Sequence, residues 1–244
     1  MSRQGPIILA ALNGDRFHPA TPHTPHELAR EARAAVDAGA VSVHIHPYDA
    51  NGEQTLEAAA CAAAIRAVRA ECPGVPISLT TFAAVEPDPA RRLELVAQWT
   101  EQPELVTANQ GERGVLELCE LLLARGVGIE AGLLTLADAH AFVLAGIADR
   151  CVRVLLEPLD ADAEVAVAHA AAMEKVLDDA GITLPQVHHG EGVALWAVTR
   201  RAAERGHGIR TGLEDTSVLP DGTTATGNAQ LVAAAAEILR AAVG

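Results

Sequence analysis

Apolar residues recur along this chain in two alternating rhythms. Short runs of valine, isoleucine and leucine give way to longer alanine-rich stretches whose apolar positions fall three or four residues apart. The first rhythm reads as buried strands and the second as amphipathic helices. Eight strands are predicted, over residues 7–12, 41–46, 76–82, 105–109, 127–133, 152–157, 186–189 and 209–214. A helical segment follows each, from TPHELAREARAAVDAG after the first to GNAQLVAAAAEILRAAV after the last. Thr24 and Pro25 stand as N-cap and first residue of the first helix. Gly39, Gly126, Gly181 and Gly206 stand where helices should stop. Eight successive βα units admit a closed barrel or an open doubly wound sheet. No G-x-G-x-x-G follows the first strand, which weighs against a dinucleotide-binding sheet. The predicted fold is a single (β/α)8 TIM barrel over residues 1–244, close to the ~250 residues typical of that architecture.

Side chains alternate along a strand, so each predicted strand divides into two faces. In 41–46, Val41, Val43 and Ile45 form an apolar face for the outer helices. Ser42, His44 and His46 then point into the barrel, with His46 at the C-terminal mouth where barrel active sites sit. In 209–214, Arg210, Gly212 and Glu214 share the inward face, with Gly212 leaving room between the two charges and Asp215 at the lip. Strand eight lies two strands from strand two in a closed barrel, so Glu214 approaches His44 and His46. Ser78 and Thr80 share a face of the third strand, Thr107 and Asn109 of the fourth, and Glu130 and Gly132 of the fifth. Of His188 and His189, one should face the lumen.

Charge inside a barrel is costly unless it is paired or binds a cation. Two neutral imidazoles and a carboxylate suit Zn2+, with Mn2+, Co2+ or Ni2+ as alternatives. Three protein ligands leave a coordination position open for catalysis. Structural readings stay open beside this one: core histidines hydrogen-bonded to neighbours, an i,i+4 ion pair for Arg210 and Glu214, and a buried carboxylate paired with an arginine for Glu130. The combination of inward polar groups at the mouth ends of strands two, five and eight favours the metal.

Composition narrows the partners. The net charge of −14 repels phosphate backbones and anionic lipid, so nucleic acid and membrane partners are not expected. Only six residues are aromatic, which leaves no stacking platform for bases. The four cysteines form no C-x-x-C pair and read as small buried residues in a reducing, cytoplasmic setting. No signal-peptide pattern and no apolar run near ~18 residues is present. An anionic substrate gains no long-range attraction from this surface, so a local cation or metal must hold it.

The stretches AALNG, AGAVSVHIHPYDANG, GIEAG and IRTGLEDT with the later GNAQLV resemble, in order, segments of the β-keto acid cleavage enzymes. The resemblance spans nearly the whole chain. It implies a (β/α)8 barrel with a divalent metal, usually zinc, held by His44, His46 and Glu214. It matches Arg210 and Asp215 to the pair flanking the metal glutamate, Glu130 to the strand-five glutamate, and Thr107 and Thr80 to hydroxyls of strands four and three. Asn228 sits in the matching N-A-x-L-V. Asp215, Arg210 and Glu130 are then the catalytic candidates. Thr80, Thr107, Asn109, Tyr48 and His189 are the substrate-binding candidates. The implied reaction joins a β-keto acid and acetyl-CoA to give acetoacetate and a new acyl-CoA. Asp215 would act as the base that makes a carbon nucleophile of acetyl-CoA, and retro-Claisen cleavage would follow. A homo-oligomer, a tetramer by resemblance, is expected.

Three features depart from the family pattern. Family members usually continue H-x-H-x-R-D, whereas this chain has Tyr48 in place of that arginine. The chain is short, which implies trimmed loops. VHHGEG brings extra imidazoles to strand seven. These departures point to a different substrate side chain and leave the use of CoA open. A CoA-independent, metal-dependent carbon–carbon lyase is the second reading, and a non-catalytic metal- or ligand-binding barrel a distant third.

Overall fold

The computed structural model describes residues 6–243. They form a closed barrel of eight parallel strands in sequence order, as the alternating pattern predicts. The strands are β1 (Ile8–Ala11), β2 (Ser42–Ile45), β3 (Ile77–Thr80), β4 (Leu105–Asn109), β5 (Gly128–Leu133), β6 (Arg153–Leu156), β7 (Gln186–His188) and β8 (Gly208–Thr211). Around them lie α1 (Pro25–Asp37), α2 (Ala58–Glu71), α3 (Pro89–Ala97), α4 (Val115–Ala124), α5 (Leu136–Ala145), α6 (Ala163–Asp179), α7 (Leu195–Glu204) and α8 (Asn228–Val243).

Local chemistry fixes the boundaries. Thr24 caps α1 with Pro25 behind it, and the Glu27 side chain accepts from the Thr24 backbone to complete a capping box. The glycines predicted to end α1, α4, α6 and α7 all have positive φ, between 70° and 120°, which reverses the chain at no Cβ cost. Outward strand residues such as Val43, Ile45, Ile77 and Leu79 are fully buried against the helices. Each contributes roughly 1.5–3 kcal/mol. Val41 departs from the expected face: it precedes β2 and is half exposed. All four cysteines are free and buried, and burial pushes the Cys61 thiol up to about 12. No helix among the described residues is long and apolar enough to cross a membrane.

Inside the barrel, Leu9, Leu155 and Val187 pack together. Toward the C-terminal mouth the inward face turns polar, with His44, Thr80, Thr107 and Arg210. Register places Leu9 beside Arg210 and Ser42, His44 beside Ser78, and Glu130 between Thr107 and Arg153.

The predicted eighth strand ran to residue 214, but β8 ends at Thr211. Gly212 explains why. A Cβ there would lie 1.9 Å from the Ala11 carbonyl oxygen, so the chain turns hard against β1 at a position only glycine fits. The space it supplies is for backbone, not for separating two charged side chains. The N–H groups of Asp215 and Thr216 both donate to the Gly212 carbonyl, and Asn228 accepts from Leu213 N–H. Glu214 and Asp215 therefore sit in a tight turn at the barrel mouth.

Candidate active site

His44 Nε2 and His46 Nε2 lie 3.2 Å apart. Glu214 completes the group, with Oε1 3.4 Å from His46 Nε2 and Oε2 3.7 Å from His44 Nε2. The neighbours dictate which ring nitrogens carry hydrogen. His46 Nδ1 faces Gln54 Oε1 at 2.6 Å, an acceptor only, so Nδ1 donates and Nε2 keeps its lone pair. For His44 the argument runs through three residues. Glu130 is paired with Arg153 at 2.8 Å, which makes it an ionised acceptor. Ser78 donates its hydroxyl to Glu130. Ser78 Oγ, 3.2 Å from His44 Nδ1, then accepts from that nitrogen. Both Nε2 lone pairs thus point into the same space.

Two facing lone pairs and a carboxylate repel unless a cation joins them, and Glu214 Oε2 is buried with no hydrogen-bond partner. Donors ~2.1 Å from one tetrahedral ion would stand roughly 3.4 Å apart, and the three observed spacings bracket that figure. The residues fit a divalent metal. Burial, then the Arg210 charge, holds His44 well below the usual imidazole range. Burial also opposes protonation of His46, but the Glu214 carboxylate outweighs it and raises that ring. The backbone of His46 is clamped by Asn13, which accepts from its N–H and donates to its carbonyl, both at 2.8 Å.

Arg210 is buried beside this group. Its Nη2 meets Asp215 Oδ1 at 2.6 Å and Glu214 Oε1 at 2.9 Å, and its Nε meets Asp215 Oδ2 at 3.2 Å. His189 lies behind, with Nε2 3.3 Å from Glu157 and Nδ1 3.6 Å from Asp215. Burial and Arg210 disfavour its charge, yet the two carboxylates bring His189 up to about 9. Burial would raise Asp215, but Arg210 and His189 draw it down to about 2. Three carboxylates, Glu157, Glu214 and Asp215, thus face two cations, and the excess negative charge suits a bound metal ion.

A pocket of about 50 Å3 lies among His44, His46, Thr80, Thr107, Asn109, Arg210 and Glu214. Above it opens a cavity of about 580 Å3 that touches His46, Tyr48, Gln54, Glu157, Glu214 and Asp215. The structure therefore brings together His44, His46, Glu214, Arg210, Asp215, Thr80, Thr107 and Asn109. Tyr48 reaches the larger cavity only, and its hydroxyl donates to the Gly14 carbonyl. Glu130 lies a layer deeper and lines neither space. His189 is fully buried and lines neither. Its neighbour His188 faces outward and stacks on His207.

The strand alternation also contained Glu157, which the sequence reading passed over: Arg153, Leu155 and Glu157 share the inward face of the sixth strand. Gln54 and Asn13 come from loops, where no periodicity marks them. Among the described residues two more groups of ligand-type side chains occur, Glu157 with His189 and Asp215, and Glu174 with His188 and His207. Glu174 is already engaged by Arg201, Arg205 and His207, so that group is an ion-pair hub tying α6 to α7.

A sequence profile of the family described as beta-keto acid cleavage enzyme matches residues 6–118 and 159–243, most of the chain. The chain belongs to that family. The 3-keto-5-aminohexanoate cleavage enzyme of Fusobacterium nucleatum is 37% identical over 110 residues, covering 43% of this chain and 39% of that protein. The enzyme of the same name from Acetoanaerobium sticklandii is 31% identical over 109 residues, with the same coverage. The match spans about two fifths of the length of these curated relatives. Among solved structures, the apo form of ObcA aligns with TM-score 0.73 at 17% identity, covering 91% of this chain and 62% of that one. ObcA in a ternary complex with a C4-CoA adduct and oxalate aligns with TM-score 0.76 at 16% identity, covering 91% and 64%. At such identities the likeness concerns the fold. Residues 119–158, outside the family match, hold Glu130, Arg153 and Glu157, so the placing of these three rests on geometry.

Proposed function

We propose that this protein cleaves a β-keto acid in a reaction with acetyl-CoA, giving acetoacetate and a new acyl-CoA, with Zn2+ held by His44, His46 and Glu214. The observation that carries the reading is the convergence of two oriented Nε2 lone pairs on an unpartnered Glu214 oxygen, beside the Arg210–Asp215 pair, in a family of that activity. Membership of the family and the ObcA complexes with a C4-CoA adduct and with oxaloacetate support keto acid and CoA-type substrates.

Atom balance corrects the expected nucleophile. A carbanion of acetyl-CoA that added to the ketone would end in acetate and a β-ketoacyl-CoA. Acetoacetate arises when the carbon between the keto and carboxylate groups of the keto acid is the nucleophile. It attacks the thioester carbonyl, a carbon–carbon bond forms and CoA thiolate leaves. The thiolate then adds to the original keto carbon. The bond from that carbon to the former nucleophile breaks, releasing the acyl-CoA. The electron pair left on the acetoacetate fragment takes back the proton removed at the start.

Each of this chain's residues has work in that sequence. Asp215 lines the cavity and takes and returns the proton. Its low pKa keeps it ionised at every working pH but makes it a weak base. A divalent metal, when bound, supplies Lewis-acid polarisation of the keto oxygen and so acidifies the carbon. Arg210 holds Asp215 in place from below. Thr80, Thr107 and Asn109, around the small pocket, offer hydrogen bonds to the substrate carboxylate.

Zinc-loaded protein incubated with acetyl-CoA and a panel of β-keto acids labelled in the carboxylate should give labelled acetoacetate and an unlabelled acyl-CoA. No product from any acid would sink the reading. The acidic cavity walls favour a second one, a carbon–carbon lyase that dispenses with the phosphate-bearing coenzyme. Turnover in a control without CoA would select it.

A further inference from the structure

We propose that the keto acid taken by this site carries an uncharged, apolar tail, an alkyl or aryl chain seated on Phe82, Val85, Leu134 and Leu159; this assignment rests on the cleavage reading above. The cavity over the ligand group, about 580 Å3, has the volume of a small-molecule site. Barrel order divides its wall in two. Asp15, Tyr48, Glu53, Glu191, Glu214 and Asp215 follow β1, β2, β7 and β8, which adjoin one another around the closed barrel. Phe82, Val85, Leu134 and Leu159 follow β3, β5 and β6, on the opposite arc. Glu157 stands at the edge of this second arc and faces His189 at 3.3 Å.

The apolar arc is open to the cavity. Leu159 is 48% exposed and Phe82 38%, although both are large hydrocarbon side chains. Exposed apolar surface on a cavity wall marks where the apolar part of a ligand binds. The backbone beneath it is pinned. Phe82 N–H donates to Thr80 Oγ1 at 3.2 Å, and Val85 N–H donates to the Phe82 carbonyl at 3.0 Å. Between them, Ala83 N–H donates to Glu112, which is paired with the buried Arg92. Leu134 N–H donates to Asp138 in the first turn of α5 at 3.0 Å. These bonds fix both loops, so a ligand meets a wall that is already formed.

The ligand group sets the direction of the substrate. His44, His46 and Glu214 belong to the polar arc, which draws the keto and carboxylate oxygens to that side. Phe82 and Leu134 line both the small pocket beside these ligands and the cavity above it. A chain leaving the keto carbon therefore meets Phe82 and Leu134 first and reaches Leu159 in the larger cavity. The pantetheine arm of CoA is a poorer occupant, because its amides would lose water against hydrocarbon without gaining partners. A charged tail would lose its hydration in the same way, and an anionic one would also face Asp15 and Glu53.

The test is a series of straight-chain β-keto acids of rising length, given to zinc-loaded protein with acetyl-CoA. Each added methylene should raise kcat/KM by about 3-fold until the arc is filled. An acid of matched length that ends in an ammonium or a carboxylate should be poorer than its methyl counterpart by about 10-fold or more. Leu159→Asn and Phe82→Asn change exposed side chains outside the core. Each should flatten the length dependence while the KM for acetyl-CoA holds. A native series without length dependence, or a preference for the ammonium acid, would overturn the apolar assignment and leave the cleavage reading standing. An unchanged length dependence in both variants would also overturn it, and a raised KM for acetyl-CoA there would give the arc to the coenzyme. If no acid turns over, the cleavage reading falls and calorimetric binding of the same series decides. Binding that tightens with length and levels off in the variants upholds the tail site; binding that ignores length removes it.

Discussion

Ser78 stands between His44 and Glu130, with its oxygen 3.2 Å from His44 Nδ1 and its hydroxyl donating to the Glu130 carboxylate. This chain, anchored by Arg153, fixes the His44 ring so that Nε2 faces the cavity. Outer partners of this kind typically carry 10–100-fold in metal affinity. Ser78→Ala should therefore weaken zinc binding by about 10-fold while leaving His44 in place. His44→Ala or His46→Ala should weaken it at least as much. Competition with a chromophoric chelator measures all three, and unchanged affinity in the histidine variants would refute the ligand assignment.

Asp215 is tied to Arg210 through two hydrogen bonds, and its Oδ1 also faces His189. Asp215→Asn keeps the shape of the side chain and removes the proton acceptor. It should retain zinc and lose about 100-fold or more in kcat, the usual scale for a missing acid–base group. Metal analysis beside steady-state kinetics separates the two effects. A variant that keeps its kcat would strike Asp215 from the base role.

Much of this centre was legible in strand alternation. A period of two assigned His44, His46 and Arg210 to the lumen, and eight βα units required the barrel that brings strands two and eight together. The turn after β8 was not legible, because the reason for it is a steric conflict between Gly212 and Ala11, residues 201 positions apart in sequence. Periodicity continued the strand through Glu214, whereas the chain leaves the strand at Thr211 and carries Glu214 to the mouth in a turn. His189 shows a similar limit. Alternation could give it an inward direction but not its depth, and it lies behind Asp215 with no cavity surface. Gln54 and Asn13 act from loops, where only the folded chain reveals what they touch.

Gly212→Ala follows from that conflict. The added methyl would lie within 2.6 Å of the Ala11 carbonyl carbon and 1.9 Å of its oxygen, so the turn must move. Because both Glu214 and Asp215 sit in that turn, stability and metal binding should fall together. A loss of about 2–4 kcal/mol is expected for a backbone clash that cannot be relieved by a rotamer change. Chemical denaturation and zinc titration on the same variant test the linkage, and a stable variant with weakened zinc binding would restrict the effect to the turn.

Glu174 gives the fold a pH dependence away from the active site. It accepts from Arg205 Nε at 2.6 Å, meets His207 at 2.9 Å and also pairs with Arg201. Burial alone would raise its carboxyl, but Arg205, His207 and Arg201 hold it down to about 2. A folded pKa below the ordinary 4.5 means that the stabilisation is complete above pH 4.5. It is lost as the pH falls toward about 2, because the unfolded chain takes up the proton first. Solvent reaches Arg205, so the contribution is set at roughly 2 kcal/mol rather than the full value of the shift. Glu174→Gln should therefore be less stable than the native chain at pH 7 and should lose less stability between pH 5 and pH 3. Parallel urea unfolding curves across that range, with the variant falling as steeply as the native protein, would show that another carboxylate carries the acid limb.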